Sequence, residues 1–202
     1  MKFNKKIFFL IIILLIIIIG FFISKKMIKN IKMGNNMSSQ EIVDYILNIN
    51  SYKANINVQV NSNKNTNKYI LEQEYSPENG SIQAVVEPSN IAGVKIILKD
   101  GILKVENTNL NLSKLFENYK GLEDNSLDLI TFINDYKKSD KSSFEENESE
   151  LVLKTKSDSQ NKYHQNKILY INKEKKIPTK LIVEDNNQNT TINIQYNSIE
   201  IN

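Results

Sequence analysis

The stretch 80–107, GSIQAVVEPSNIAGVKIILKDGILKVEN, reads as three strands in succession with a turn signal between each pair. Ile82, Ala84 and Val86 alternate with Ser81, Gln83, Val85 and Glu87, a period of two that puts the first set on an apolar face. Pro88-Ser89-Asn90 breaks the run, after which Ala92, Val94, Ile96 and Leu98 resume the period. Asp100-Gly101 suits a two-residue hairpin turn in which both central residues take positive φ, and Leu103 and Val105 continue on the return strand. A meander with one apolar face cannot stand alone in water, so other parts of the chain must cover that face.

Upstream, Tyr52, Ala54, Ile56, Val58 and Val60 alternate with Lys53, Asn55, Asn57, Gln59 and Asn61, a strand with one wet and one covered face. Tyr69, Leu71 and Tyr75 mark the returning strand, with Gln73 on its apolar face. Before these lies Ser38-Ser39-Gln40-Glu41, a capping box, followed by Ile42, Val43, Ile46, Leu47 and Ile49 at helical spacing; the pattern predicts an amphipathic helix over about 39–50.

Downstream, Ser113 is placed to cap a short helix carrying Leu115, Phe116 and Tyr119 and ended by Gly121, and Asn125 or Ser126 to open a second with Leu127, Ile130, Ile133 and either Phe132 or Tyr136 on its apolar side. Residues 137–149 read as a charged linker. Alternation returns at Leu151, Leu153 and Thr155; Ile168, Leu169, Tyr170 and Ile171 then form a continuous apolar run within 167–172, Pro178 starts a strand over 179–184, and Ile192, Ile194 and Tyr196 alternate again. Ile199 and Ile201 fall out of phase with that last strand, which one extra residue near Asn197 explains as a bulge. The expected architecture is α+β: about nine antiparallel strands in a curved sheet, an incomplete β-barrel wrapped on short helices.

The N-terminus is of another kind. Ile7 to Ile23 is almost wholly Ile, Leu and Phe, with Lys2, Lys5 and Lys6 before it and Lys25, Lys26, Lys29 and Lys32 after it. Such a run approaches the ~20 apolar residues that cross a bilayer as one helix. A cleaved signal peptide also has a basic start and an apolar middle, but no small-residue cleavage site follows here, and with no cysteine there is no lipid-anchoring site. The expected organisation is a cytoplasmic tail (1–6), a transmembrane anchor (7–24), a linker (25–37) and a domain (38–202) held outside the cell membrane.

Net charge of +3 belongs to the anchor region. Of 26 basic residues, seven lysines lie within 1–33; the 19 that remain face 23 acids, leaving −4, and none is arginine. Nucleic-acid binding needs a clustered basic face, so that class is disfavoured.

The order of elements resembles the LolA/LolB-like lipoprotein carrier superfamily. The residues that carry the resemblance are the helix running into Ile49-Asn50-Ser51-Tyr52-Lys53-Ala54, the Tyr75-Ser76-Pro77 turn, Glu87-Pro88, Gly93, Asp100-Gly101 and the closing segment from Ile177-Pro178-Thr179-Lys180-Leu181 onward. Within that group the chain looks most like the clostridial germination lipoprotein GerS and its relatives. That resemblance implies a membrane-tethered, non-catalytic protein of the sporulation or germination envelope whose partner is a cell-wall N-acetylmuramoyl-L-alanine amidase, placed in the forespore intermembrane space if sporulation-specific. The alternative it implies is a carrier or sensor of lipid or lipoprotein, binding acyl chains in the concave face of the sheet.

Tyr52, Tyr69, Leu71, Tyr75, Phe116 and Phe132 either line such a cavity or form the core, and apolar side chains inside a sheet need no ligand to explain them. Ile97 and Ile102, flanking the Asp100-Gly101 hairpin, are candidate protein contacts. His164, the single histidine, has no nucleophile or orienting acid at a telling spacing, and the acidic run Glu145, Glu146, Glu148, Glu150 lacks the spacing and glycine of a calcium loop. No catalytic residue, cofactor or metal is expected. The long final segment leaves homodimerisation by strand pairing open.

Overall fold

The computed structural model describes residues 37–62, 64–107, 109–117, 127–157 and 163–202. The expected tail, anchor and nearly all of the linker lie outside the described residues; within them no helix is long and apolar enough to cross a membrane. Residues from Ser39 to Asn202 cluster as one compact unit.

Helix α1 (Ser39–Leu47) opens that unit directly after Ser38, where the capping box puts its start, and buries Ile42, Val43 and Ile46. Strands β1 (Tyr52–Asn61), β2 (Thr66–Ser76), β3 (Gly80–Glu87), β4 (Val94–Lys99), β5 (Ile102–Asn107) and β6 (Leu112–Phe116) follow as an antiparallel meander. Helix α2 (Leu129–Lys138) precedes a second meander of β7 (Ser143–Glu146), β8 (Glu150–Lys156), β9 (Asn166–Asn172), β10 (Ile177–Glu184) and β11 (Thr190–Ile201). All join one open, curved sheet of 11 strands in the order β6-β5-β4-β3-β2-β1-β11-β10-β9-β8-β7.

The two meanders meet where β1 pairs with β11, so the first and last strands lie side by side in the middle. Strands β6 and β7 therefore stand at opposite edges, and the chain between them must return across the whole sheet. Helix α2 is part of that return. Its N-terminus sits over β1 to β3 and its C-terminal turn over β8 and β9, which makes it a diagonal plug on the inner face. Lys137 donates to Asn48 just past α1, so the two helices cover neighbouring parts of that face.

Beneath them the core is dense. Tyr52, Ile56, Val58, Leu151, Leu153, Leu169, Ile171, Leu181, Val183 and Ile194 are all at most 2% exposed, together with Leu129, Phe132 and Ile133 of α2. At roughly 1.5–3 kcal/mol per fully buried side chain, this cluster is what opposes the chain entropy of so long a sheet.

Several sequence expectations are corrected. The sheet has 11 strands, not about nine. Residues 112–116 form edge strand β6 where a helix was expected, so Phe116 stands on a strand; five residues are too few to outweigh the ladder offered by β5. Ser143–Glu146, read as linker, is strand β7. The polarity of β3 is also inverted: Ser81 and Gln83 face inward, 6% and 3% exposed, while Val86 is 42% exposed on the outer side with Ile82 and Ala84. The Asn197 bulge is present, since Asn55 pairs with Ser198 but Ile56 with Tyr196. The Asp100-Gly101 turn has φ values of 51° and 73°, as a two-residue hairpin requires.

Candidate functional site

The inversion of β3 has its cause in α2. Asp128 precedes the helix and is 2% exposed, with an extended backbone and no capping bond from its side chain. Its carboxylate turns to the sheet instead. Ser81 donates to Oδ2 and Gln83 Nε2 donates to Oδ1 at 2.8 Å. On the neighbouring strands, Gln73 Nε2 donates to the Leu127 carbonyl at 2.8 Å, and the Leu129 amide donates to the Tyr52 hydroxyl at 3.2 Å. A buried carboxylate is costly unless hydrogen-bonded, and the Ser81 and Gln83 donors offset the cost.

The phenols respond to this setting. Burial first, then the charge of Asp128, pushes Tyr52 well above the ordinary range, and Tyr196 is raised for the same two reasons. Both stay protonated at neutral pH. Gln73 Oε1 and the Tyr196 hydroxyl are buried without a hydrogen-bond partner among the described residues. The other end of α2 is fixed by an ion pair: Lys167, 1% exposed, lies 2.7 Å from Asp135 Oδ2. Ser142 adds a bond to the Tyr136 carbonyl at 2.7 Å and one to Thr155 Oγ1 at 2.8 Å.

Of the six candidate cavity residues, Tyr52, Leu71 and Phe132 are buried in the core, whereas Tyr69, Tyr75 and Phe116 are half-buried. Tyr52 and Tyr75 stack with centroids 6.1 Å apart, and Phe132 meets Tyr136 at 6.0 Å. Tyr75 also borders a cleft of about 280 Å³ between α2 and β3–β4, with Ser81 and Asp128 in its wall. Inner-face coverage thins toward β4 to β6. Val94, Ile96, Leu98 and Val105 are half-buried there, and Leu112 is 62% exposed.

On the outer face, registers place Ile82 opposite Ile97, Ile97 opposite Lys104 and Lys104 opposite Leu115. Ile102 lies on the same side, 42% exposed, and Leu115 is 61% exposed. The two candidate contact residues thus belong to an outer row across β3 to β6 in which Ile82, Ile97, Ile102 and Leu115 stand around Lys104. Lys104 is paired with Glu106, whose carboxyl it holds below the usual range.

His164 lies far along the fold from Asp128, beside a cleft bordered by Lys64 and Asp185. In the acidic run, Glu145 is paired with Lys154 at 2.7 Å and Glu146 with Lys173. Among the described residues no cluster of three or more His, Cys, Asp or Glu could hold a metal ion. Sequence reasoning missed Asp128 and Lys167, charged residues that conventional patterning assigns to the surface; the one signal was Gln73, a lone amide on an apolar face.

Comparison with known proteins bears on this arrangement. The model of the family described as "Sporulation protein YdcC-like" matches residues 5–202. The chain belongs to that family. A chain from the structure of the CwlD amidase of Clostridioides difficile in complex with the GerS lipoprotein is similar in fold, with a TM-score of 0.52 and 24% identity over 83% of this chain and 99% of that one. A conserved protein from Thermus thermophilus gives a TM-score of 0.51 and 11% identity, over 82% of this chain and 88% of that one. A LolA-superfamily protein from Nitrosomonas europaea aligns at 0.43 with 13% identity, over 83% and 94%. No curated protein matches. The structural neighbours thus include a chain from the complex that contains GerS, which the sequence resembles.

Proposed function

We propose that this YdcC-like protein is a membrane-anchored, non-catalytic protein of the sporulation envelope whose extracytoplasmic domain binds and supports a cell-wall amidase. The observation that carries the proposal is the family match, which runs from residue 5 through the apolar stretch 7–23 to the C-terminus. The apolar stretch and the sheet domain are thus matched as one protein. Fold similarity to a chain from an amidase–lipoprotein complex supports the choice of partner. The dense seat of α2 supports action by contact, because the side chains of the protein itself occupy the inner face over β1 and β8 to β11.

The docking surface assigned to the partner is the outer row of Ile82, Ile97, Ile102 and Leu115, where apolar side chains stand among lysines. Affinity purification of the tagged full-length chain from sporulating cells, after detergent solubilisation, tests the reading. The amidase is expected in the eluate; an eluate without any cell-wall hydrolase contradicts it.

A second reading, acyl-chain binding, draws on the thinner inner-face coverage at β4 to β6. Native mass spectrometry of the solubilised chain distinguishes the two. Retained fatty-acyl species support a carrier, and a bare protein mass removes it.

A further inference from the structure

We propose that the cleft of about 920 Å³ at the end of the sheet, between the β1–β2 hairpin, the β10–β11 turn and the segment entering β9, is a binding site for a neutral oligosaccharide. It lies apart from the apolar outer row and does not rest on the amidase reading.

The walls are hydroxyls and carboxamides held in place by one another. Asn61 Nδ2 donates to the Thr190 carbonyl at 3.1 Å, joining the first wall to the second. Thr191 Oγ1 lies 2.8 Å from the Tyr163 carbonyl, joining the second to the third. Within the hairpin, Ser62 and Asn65 close the turn with a backbone bond of 2.8 Å and two bonds through the Ser62 hydroxyl. Within the β10–β11 turn, Asp185 accepts from the Asn187 amide and from both the amide and Nδ2 of Asn189, and these bonds hold its carboxyl below the usual range. The fixed charge of Asp185 is spent on its own turn. The walls are thus built before any ligand arrives, which lowers the ordering cost of binding.

What is left over suits a sugar. Among the described residues the Asn65 carboxamide and Asn189 Oδ1 have no hydrogen-bond partner, although both side chains are exposed at the cleft. A carboxamide offers a donor and an acceptor side by side, the arrangement that vicinal hydroxyls or an N-acetyl group can meet in pairs. Tyr163, 51% exposed in the same cleft, offers a ring face to the apolar C–H side of a pyranose. The volume lies in the range of small-molecule sites. Lys64 and His164 are the other charged or titratable groups in the lining, too few to define an anion site against so many neutral groups.

The test is isothermal titration calorimetry of the full-length chain in detergent with chitotetraose, maltotetraose and buffer alone, at low and raised salt. Saturable binding of either sugar is expected, with the two arms telling an N-acetylated chain from a plain glucan. Y163A weakens binding about tenfold. N65A, which keeps the backbone turn, weakens it as well, and I102A does not. Raised salt has no effect on a neutral ligand. No heat from either sugar up to about 10 mM, equal binding by Y163A and wild type, or binding abolished by salt each overturns the proposal.

Discussion

Gln83 Nε2 stands 2.8 Å from Asp128 Oδ1, so a residue of β3 holds the entry to helix α2 on the inner face of the sheet. Three adjacent strands share the task, with Gln73 on the Leu127 carbonyl and Tyr52 on the Leu129 amide. Replacing Asp128 with Ala strands the Gln83 amide and the Ser81 hydroxyl in the interior, at a cost of about 2–4 kcal/mol. Asp128→Asn keeps one acceptor for Gln83 and loses less. Urea unfolding of both variants checks the order; equal losses contradict the network.

At the opposite end of α2 the ion pair of Lys167 and Asp135 makes an asymmetric prediction. Asp135→Asn takes from a buried ammonium the carboxylate 2.7 Å away and costs about 3 kcal/mol, whereas Lys167→Met with Asp135→Asn replaces the pair by groups that tolerate burial and recovers most of the loss. A double-mutant cycle in thermal unfolding measures the coupling.

Gly80 and Gly101 both have positive φ, 72° and 73°, yet they differ in surroundings. A methyl group on Gly80 would meet the backbone carbonyl of Leu98, while one on Gly101 meets nothing. Gly101→Ala is expected to cost about 1 kcal/mol, the ordinary penalty of the left-handed region. Gly80→Ala costs more, because the β3–β4 pairing must shift. Chemical denaturation midpoints of the two variants give the comparison.

These expectations also show which parts of the fold could be read in advance. Strict alternation in Tyr52–Val60 and the Asp100-Gly101 turn left one solution for β1 and the β4–β5 hairpin, and the phase slip at Ile199 located the bulge. Strand β3 misled because Ile82, Ala84 and Val86 follow a core pattern while the real inner face accommodates a carboxylate from a residue 45 positions later. Long-range polar demand overrode local apolar pattern. Phe116 misled for a related reason: a five-residue segment takes the conformation its neighbour offers, and β5 offered an edge. The candidate site was half legible. Ile97 and Ile102 pointed to the outer row, but Ile82 and Leu115 join it only through registers that no single strand reveals.

The turn between β10 and β11 carries a pH dependence. Bonds from Asn189 and Asn187 hold the Asp185 carboxyl below its ordinary value, so its folded pKa is lower than its unfolded one. Its contribution is complete above the unfolded value of about 4 and is lost as pH falls through the lowered folded value. The melting temperature of Asp185→Ala therefore lies below wild type at pH 7, and the gap narrows as pH falls from the unfolded value through the lowered folded one. Differential scanning calorimetry across that interval checks it; a constant gap contradicts the assignment.

The most direct trial of the account is the affinity of the solubilised full-length chain for the cell-wall amidase of the same cell, measured for wild type and for the double variant I102E/L115E. The outer-row assignment predicts that the wild type binds and that the variant, unchanged in melting temperature, binds at least about tenfold more weakly. Equal binding by the two proteins would contradict the assigned surface, and no binding by either would contradict the partner.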